Sequence, residues 1–309
     1  MFDRYVEAGG NFIDTADLYR DGEAERLVGD FMQTNRDELV IASKFAFGSG
    51  AVNGLAGTGN SRKAMVQCLE ASLKRLRTDR IDLYWVHIPD GVTPIDELIR
   101  ALDDMVRAGK ILYVGLSNFQ AWRVARAATV AELRGWSPVA GLQVEYSLAE
   151  RAAERELLPM AQGFGIGVAA WSPLGGGVLT GKYRRGEAGR QDSPGGNLVH
   201  PENTAQRTLI LDTLEAVAAE TESNPGRVAL AWLAAKGVIP ILGPRTLAQL
   251  DDNLAAVSVR LTAEQVRRLD DVSAIPLGIP HEFLAKPGTK ERLAGGKPDL
   301  VDLPDMPVL

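Results

Sequence analysis

Gly9-Gly10-Asn11-Phe12-Ile13-Asp14-Thr15-Ala16-Asp17-Leu18-Tyr19 passes from a glycine pair into a short apolar strand, Asn11 to Asp14, that ends in an acid with a phenol five residues beyond. Outward from it the same kind of run recurs at Leu39 to Lys44, Ile81 to His87, Tyr113 to Ser117, Leu142 to Tyr146, Ile166 to Trp171 and Val238 to Leu242. These seven runs alternate with longer segments at helical spacing, which predicts a parallel sheet with crossover helices, an α/β fold. The helical segments carry their own punctuation. Arg62 to Leu76 puts Met65, Leu69, Leu73 and Leu76 on one face. Thr93-Pro94-Ile95-Asp96 reads as an N-cap, a proline at the first helical position and an acid in the first turn, with Gly109 closing the same helix as a left-handed cap. Thr246 with Gln249 and Thr262 with Gln265 have the spacing of capping boxes. There is no short-period repeat, low-complexity tract or composition break to mark a linker, so a single domain over 1–309 is expected, with a barrel to residue 273 and a tail over 274–309.

Three segments depart from tight connection: glycine-rich Phe45 to Asn60, the long Leu174 to Asn203 with Gly175-Gly176-Gly177 and Pro194-Gly195-Gly196, and a proline-rich tail from Ser273 to Leu309. The first two follow the C-terminal ends of strands, where barrel enzymes build their sites.

The residues that end the first three strands are Asp14, with Tyr19 just beyond, then Lys44, then His87. Singly each has an ordinary reading: a strand-end cap, an exposed loop aromatic, a snorkelling lysine, a core histidine before the Pro89 turn. Jointly they converge on one rim if the strands are neighbours, and the set suits carbonyl reduction. A phenol, with a pKa near ~10, donates or accepts a proton poorly at neutral pH unless its anion is stabilised, and a nearby ammonium such as Lys44 does that. A carboxylate such as Asp14 opposes the loss of charge that burial imposes on the lysine. An imidazole can hydrogen-bond a carbonyl oxygen and orient it while the phenol supplies the proton.

Composition narrows the alternatives. Among 309 residues, 45% hydrophobic and 24% charged, 34 basic against 40 acidic side chains leave a net charge of −6. Such mild acidity argues against nucleic acid as the principal partner, since phosphate contact needs a basic surface. The one cysteine, Cys68, cannot form an internal disulfide and falls on the apolar face of its helix, which predicts a buried reduced thiol. No apolar run reaches the ~18–20 residues that span a bilayer, and Met1-Phe2-Asp3-Arg4-Tyr5-Val6-Glu7 lacks the regions of a signal peptide, so no membrane partner and a cytoplasmic location are expected. His87, His200 and His281 are too scattered to suggest a metal site.

Gly9 to Tyr19 resembles the first signature of the aldo-keto reductases. Ile41-Ala42-Ser43-Lys44-Phe45 is similar to that family's lysine strand, Asp79-Arg80-Ile81-Asp82-Leu83-Tyr84-Trp85-Val86-His87 to its histidine strand, and Gly109-Lys110 through Gly115-Leu116-Ser117-Asn118-Phe119 to its second signature. Gln143-Val144-Glu145-Tyr146-Ser147, Ala170-Trp171-Ser172-Pro173-Leu174 and Ile239-Pro240-Ile241-Leu242-Gly243 through Asn253 follow in the family order, so the resemblance covers residues 2–273. It implies a (β/α)8 TIM barrel of the NADP-linked oxidoreductase type, in the potassium-channel-β-like and bacterial branch. The nicotinamide dinucleotide would bind in extended form without a Rossmann fold, and the sequence has no strand-coupled Gly-x-Gly-x-x-Gly. Carried over residue by residue, Asp14, Tyr19, Lys44 and His87 form the catalytic tetrad. Ser117, Asn118 and Gln143 hold the nicotinamide carboxamide, and Trp171 stacks on the ring. Ser172, Leu174 and the glycines after them line the pyrophosphate. Gly243, Arg245, Gln249, Asp252 and Asn253 hold the adenosine end, where Arg245 suits a 2′-phosphate and favours NADPH over NADH. Thr246 adds helix-start amides beside the same anion.

The sequence departs from the family pattern in two places. It opens inside the family's first helix, so the N-terminal hairpin and first barrel strand are missing, which leads to the expectation that Met1 is an internal methionine of a longer, truncated protein. Arg20-Asp21-Gly22-Glu23-Ala24-Glu25 replaces the family's Gly-x-Ser-Glu, with Glu25 keeping its place. The reading is reversible, NADPH-dependent reduction of aldehydes or ketones to alcohols. Its alternatives are an NADP-binding regulatory or redox-sensing subunit and an inactive fragment. The partner is a small carbonyl or alcohol compound, with a pocket expected from Phe45 to Asn60, Trp85, Ile88 and the tail from Ile279 to Phe283; oligomeric state stays open.

Overall fold

The computed structural model describes residues 1–49, 54–190 and 200–301; Pro194-Gly195-Gly196, the middle of the Phe45 to Asn60 segment and the last residues of the tail lie outside them. The described residues group into two compact units, Met1–Val144 and Glu145–Leu309.

The first unit runs α1 (Phe2–Glu7), β1 (Phe12–Asp14), α2 (Glu23–Phe31), β2 (Val40–Phe45), α3 (Arg62–Leu76), β3 (Ile81–Val86), α4 (Ile95–Arg107), β4 (Ile111–Ser117), α5 (Ala121–Arg134) and β5 (Val139–Glu145). Each strand pairs in parallel with the next, β1 to β2, β2 to β3, β3 to β4 and β4 to β5. The register aligns Lys44 with Trp85, Trp85 with Gly115 and Gly115 with Gly141. These residues therefore share one face, and the alternation of a pleated strand sends Ser43 and Tyr84 to the other, toward the helices. Trp85 is only 1% exposed. It fits because β4 and β5 offer glycines to it: a Cβ on Gly115 would stand 2.2 Å from the indole Cε3, and one on Gly141 2.8 Å from Cη2. Gly29 does the same between helices, since a Cβ there would stand 2.7 Å from the carbonyl oxygens of Arg75 and Leu76 at the end of α3.

The helix face behind β2 holds a buried polar group. Glu25 of α2, 0% exposed, accepts hydrogen bonds from Arg75 Nε at 2.6 Å and from Ser43 Oγ at 2.5 Å. Asp17 lies in the same buried region without a well-formed partner for either oxygen. Cys68 is buried on α3, with its Sγ donating to the Gly57 carbonyl at 3.4 Å.

The second unit contains α6 (Leu157–Gly163), β6 (Gly167–Trp171), α7 (Ala205–Glu220), α8 (Pro225–Ala235), β7 (Ile239–Pro240), α9 (Leu247–Leu254), α10 (Ala263–Ser273), α11 (His281–Leu284) and α12 (Pro287–Leu293). β6 and β7 are parallel, Ala170 opposite Pro240. Tyr146 and Trp232 pack ring to ring at 5.3 Å in its core, and the Trp232 indole donates to Asp270 at 3.0 Å. His281, 9% exposed, is tied to Glu156 at 3.0 Å, a structural role.

Seven strands with intervening helices are thus present among the described residues, the β-α succession of a (β/α)8 barrel with one strand fewer. Three local readings need correction. Thr93 does not cap α4: Pro94 occupies the N-cap, and the Thr93 hydroxyl instead donates to Asp90 at 2.6 Å, because a nearby carboxylate is the stronger acceptor. Thr262 and Gln265 form a full capping box, whereas at Thr246 only half forms, the Gln249 side chain accepting from the Arg245 amide at 2.8 Å. The last strand is shorter than the run from Val238 to Leu242, although the Ile241 amide still donates to the Ala170 carbonyl at 2.8 Å. No helix among the described residues is long and apolar enough to cross a membrane.

Candidate active site

β1, β2 and β3 carry Asp14, Lys44 and His87 to adjacent strand ends of the first unit. Lys44, 0% exposed, is inserted by the inward register of β2. Its ammonium pairs with Asp14 Oδ2, donates to the Thr15 carbonyl at 3.0 Å and reaches the Tyr19 hydroxyl at 3.3 Å. Burial of a charge at this depth is sustained only by such a paired, hydrogen-bonded set. Tyr19 is 40% exposed, so its phenol faces outward while its oxygen touches a buried cation. The turn after it takes left-handed backbone at Arg20 and Asp21, φ 49° and 55°, and Gly22 enters α2 at φ 83°. That is where the sequence departs from the pattern it otherwise resembles.

The His87 ring meets two aromatic edges, Tyr19 at 6.0 Å and Phe47 at 5.1 Å between centroids, both near perpendicular. Burial, aided by the Lys44 charge, lowers its pKa from 6.5 to about 4, so the imidazole is neutral at pH 7. Its Nδ1 has no hydrogen-bond partner among the described residues. The backbone is better held: its amide donates to the Phe45 carbonyl at 2.9 Å, and its carbonyl accepts from Asn118 Nδ2 at 3.0 Å.

Ser117, Asn118 and Gln143 join the same strand ends. Asn118 Nδ2 also donates to Ser117 Oγ at 3.1 Å, and Asn118 holds φ 59°, a left-handed conformation its short polar side chain tolerates. Gln143 Nε2 donates to Asp14 Oδ1 at 3.1 Å, so the carboxylate is shared between amide and ammonium.

In the second unit, Trp171 ends β6, and Ser172 and Leu174 lead into three successive glycines at positive φ: Gly175 57°, Gly176 71° and Gly177 98°. The segment coils on itself, the Gly175 amide bonding to the Ser172 carbonyl at 2.8 Å and that of Gly177 to Leu174 at 2.9 Å. Sequence reading overlooked Lys182. Its ammonium lies over the Tyr183 ring at 4.9 Å, close enough to the glycines that a Cβ on Gly177 would stand 3.1 Å from Nζ. No carboxylate among the described residues pairs with Lys182, and the hint available in the sequence was a lysine a few residues beyond a glycine triplet.

Gly243, Arg245 and Gln249 are exposed around the start of α9. The space beside Gly243 is open, and Thr246 Oγ caps the helix. Asp252 is already engaged within the protein, accepting from Arg227 Nε at 2.9 Å and Asn224 Nδ2 at 2.8 Å, while Asn253 is half-buried beside it. The pairing of β6 with β7 brings the Trp171 and Gly243 segments to one end of that strand pair. The structure thus gathers Asp14, Tyr19, Lys44, His87, Ser117, Asn118 and Gln143 in one unit, and Trp171, Ser172, Leu174, Gly243, Arg245, Gln249, Asp252 and Asn253 in the other.

An acid, a buried ammonium, a phenol and a neutral imidazole thus meet at adjacent strand ends of an α/β fold, a set able to exchange a proton with a bound polar group. The model of the Aldo/keto reductase family matches residues 1–274, and the chain belongs to that family. It is 34% identical over 299 residues to norsolorinic acid reductase of Aspergillus flavus, covering 94% of this chain and 75% of that one. It is 36% identical to the uncharacterized oxidoreductase YrpG of Bacillus subtilis, covering 92% and 89%. It is also 33% identical to the putative aryl-alcohol dehydrogenase AAD14 of Saccharomyces cerevisiae, covering 92% and 78%.

Proposed function

We propose that this chain reduces aldehydes or ketones to alcohols, reversibly and with NADPH, using Tyr19 as the general acid. The observation that carries the reading is the Lys44 ammonium held between the Asp14 carboxylate and the Tyr19 hydroxyl, 3.3 Å from the latter. Tyr19 delivers its proton to the carbonyl oxygen as that oxygen gains charge. Lys44 then stabilises the phenolate, and Asp14 with the Thr15 carbonyl keeps the ammonium charged and aimed. His87, neutral at pH 7, donates a hydrogen bond from one ring N–H to orient the carbonyl. Exposed Phe47 and Ile88 supply an apolar mouth suited to aromatic carbonyl compounds, in keeping with the norsolorinic acid and aryl-alcohol names of two relatives.

The residues fit a phosphorylated dinucleotide. The tight glycine turn from Gly175 to Gly177 stands beside Lys182, which has no carboxylate partner among the described residues, a small-residue approach with an ammonium suited to a pyrophosphate. Exposed Arg245 offers paired donors for a 2′-phosphate, and Ser117, Asn118 and Gln143 offer donors and acceptors to a carboxamide. When bound, the nicotinamide supplies the hydride. Turnover of a benzaldehyde panel, followed by NADPH absorbance, tests the reading. Tyr19→Phe is expected to abolish reduction and to leave the NADPH affinity, measured by tryptophan quenching, nearly intact; retained turnover would remove Tyr19 from the role.

A further inference from the structure

Asn60 and Asp90 close on each other in a reciprocal pair across the loops that follow β2 and β3. The Asn60 amide donates to Asp90 Oδ2 at 2.8 Å, and the Asp90 amide donates to Asn60 Oδ1 at 2.7 Å. Asn60 Nδ2 donates in addition to the Ile88 carbonyl at 3.0 Å, next to His87. Asp90 also accepts from the Val92 and Thr93 amides at 3.0 and 2.9 Å and from the Thr93 hydroxyl. Asn60 is 0% exposed, so an unmade bond there has no water to replace it.

This pair stands at the foot of a strained residue. Ala46, 5% exposed and two residues past Lys44, holds φ 141°, which L residues rarely adopt. Such backbone persists only where its surroundings over-determine it. Here the Ala46 carbonyl accepts from the Gly59 amide at 2.7 Å, and Gly59 immediately precedes Asn60. A Cβ on Gly59 would stand 3.0 Å from Asp90 Oδ2, a tight approach, and the position holds φ 79°, which glycine adopts without strain. The turn at Ala46 directs the next side chain, Phe47, edge to face with His87 at 5.1 Å. The imidazole needs that support, because its Nδ1 has no partner among the described residues and its hydrogen bonds noted above are made by the backbone.

We infer that Asn60 and Asp90 are positioning residues for His87: their pairing pins Gly59 on strained Ala46, which sets Phe47 against the imidazole and fixes the ring's orientation. The part of this that concerns turnover rests on the carbonyl-reductase reading; the part that concerns the ring does not. The test uses the full chain labelled at histidine Cε1, with the NMR signals of the three histidines, His87, His200 and His281, assigned by single substitution. Asn60→Ala is expected to move the His87 signal through the changed ring current of Phe47 while those of His200 and His281 stay in place. With an aromatic aldehyde it should lower kcat by roughly 10–100-fold, the scale of a misplaced reacting group, with NADPH affinity within about twofold of wild type. The double variant with Phe47→Leu should be little worse than the more impaired single variant, because both act on one contact. Should Asn60→Ala fail to fold, Asp90→Asn, which keeps the side chain's size but replaces one of the oxygens that accept in the pair with a donor, is expected to shift the same His87 signal. An unmoved His87 signal in the folded variant overturns the inference. A wild-type protein that turns over no carbonyl overturns the catalytic reading alone, and the ring shift still decides the positioning.

Discussion

Asp17 is a carboxylic acid buried where its charge is poorly tolerated. Burial, with the Glu25 charge adding to it and Arg75 opposing, raises its pKa from 3.8 to about 6. The folded state therefore binds this proton more tightly than the unfolded chain does. The favourable contribution is whole below pH ~4 and is lost as pH rises through about 6. That loss is on the order of 3 kcal/mol, because each tenfold difference in proton affinity between the folded and unfolded chain is worth ~1.4 kcal/mol. His87 runs the other way: with its pKa lowered to about 4, its contribution is whole above pH ~6.5 and lost as pH falls toward 4. Asp17→Asn should raise the melting temperature at pH 7 and flatten the decline between pH 4 and 6, leaving the histidine limb; thermal unfolding across that range reads both, and an unchanged slope would place the raised carboxyl elsewhere. Asp14, Lys44 and His87 were legible in the sequence because strand alternation fixes where a strand's last side chain points. Asp17 and Asp90 were not. Their roles depend on residues brought from other elements, Glu25 and Arg75 for one and Asn60 for the other, and no local pattern encodes those meetings.

Among the elements, β3, β4 and β5 show why strand bounds were misread. The expected strands began at Tyr113 and Leu142, whereas the observed ones begin at Ile111 and Val139, the second taking in Gly141, which the expected run left out. Glycine weakens a strand's signature, and here its smallness is what admits the Trp85 indole. Gly115→Ala should destabilise the fold by about 1–3 kcal/mol, the usual cost of overpacking a rigid core, seen as a lower urea midpoint with unchanged m-value. Gly141→Ala, whose Cβ would stand at 2.8 Å rather than 2.2 Å, should cost less. Equal losses would mean that the indole does not lie where it is described. Thr93 teaches a related lesson about helix starts: its spacing from Asp96 imitates a cap, but the hydroxyl is claimed by Asp90 from the preceding turn.

For the whole molecule, the order of strands and helices was the most legible feature, because periodicity and strand-end chemistry repeat along the entire chain. Connections outside the regular elements were least legible, and Lys182, which lies in one, was overlooked although its ammonium stands against the glycine triplet. The single cysteine gives the molecule one further property. Cys68 is buried on α3, hydrogen-bonded to Gly57, and burial with the nearby Asp17 charge pushes its thiol up to about 12. An alkylating reagent can reach such a sulfur only when α3 parts from the strands beneath it. Labelling of the native protein by iodoacetamide, followed by intact mass, should therefore be slow and should accelerate steeply in sub-denaturing urea; modification at the rate of an exposed thiol would contradict the packing. The single thiol of Cys68 thus serves as a built-in clock for the opening of α3, with one chemical hand.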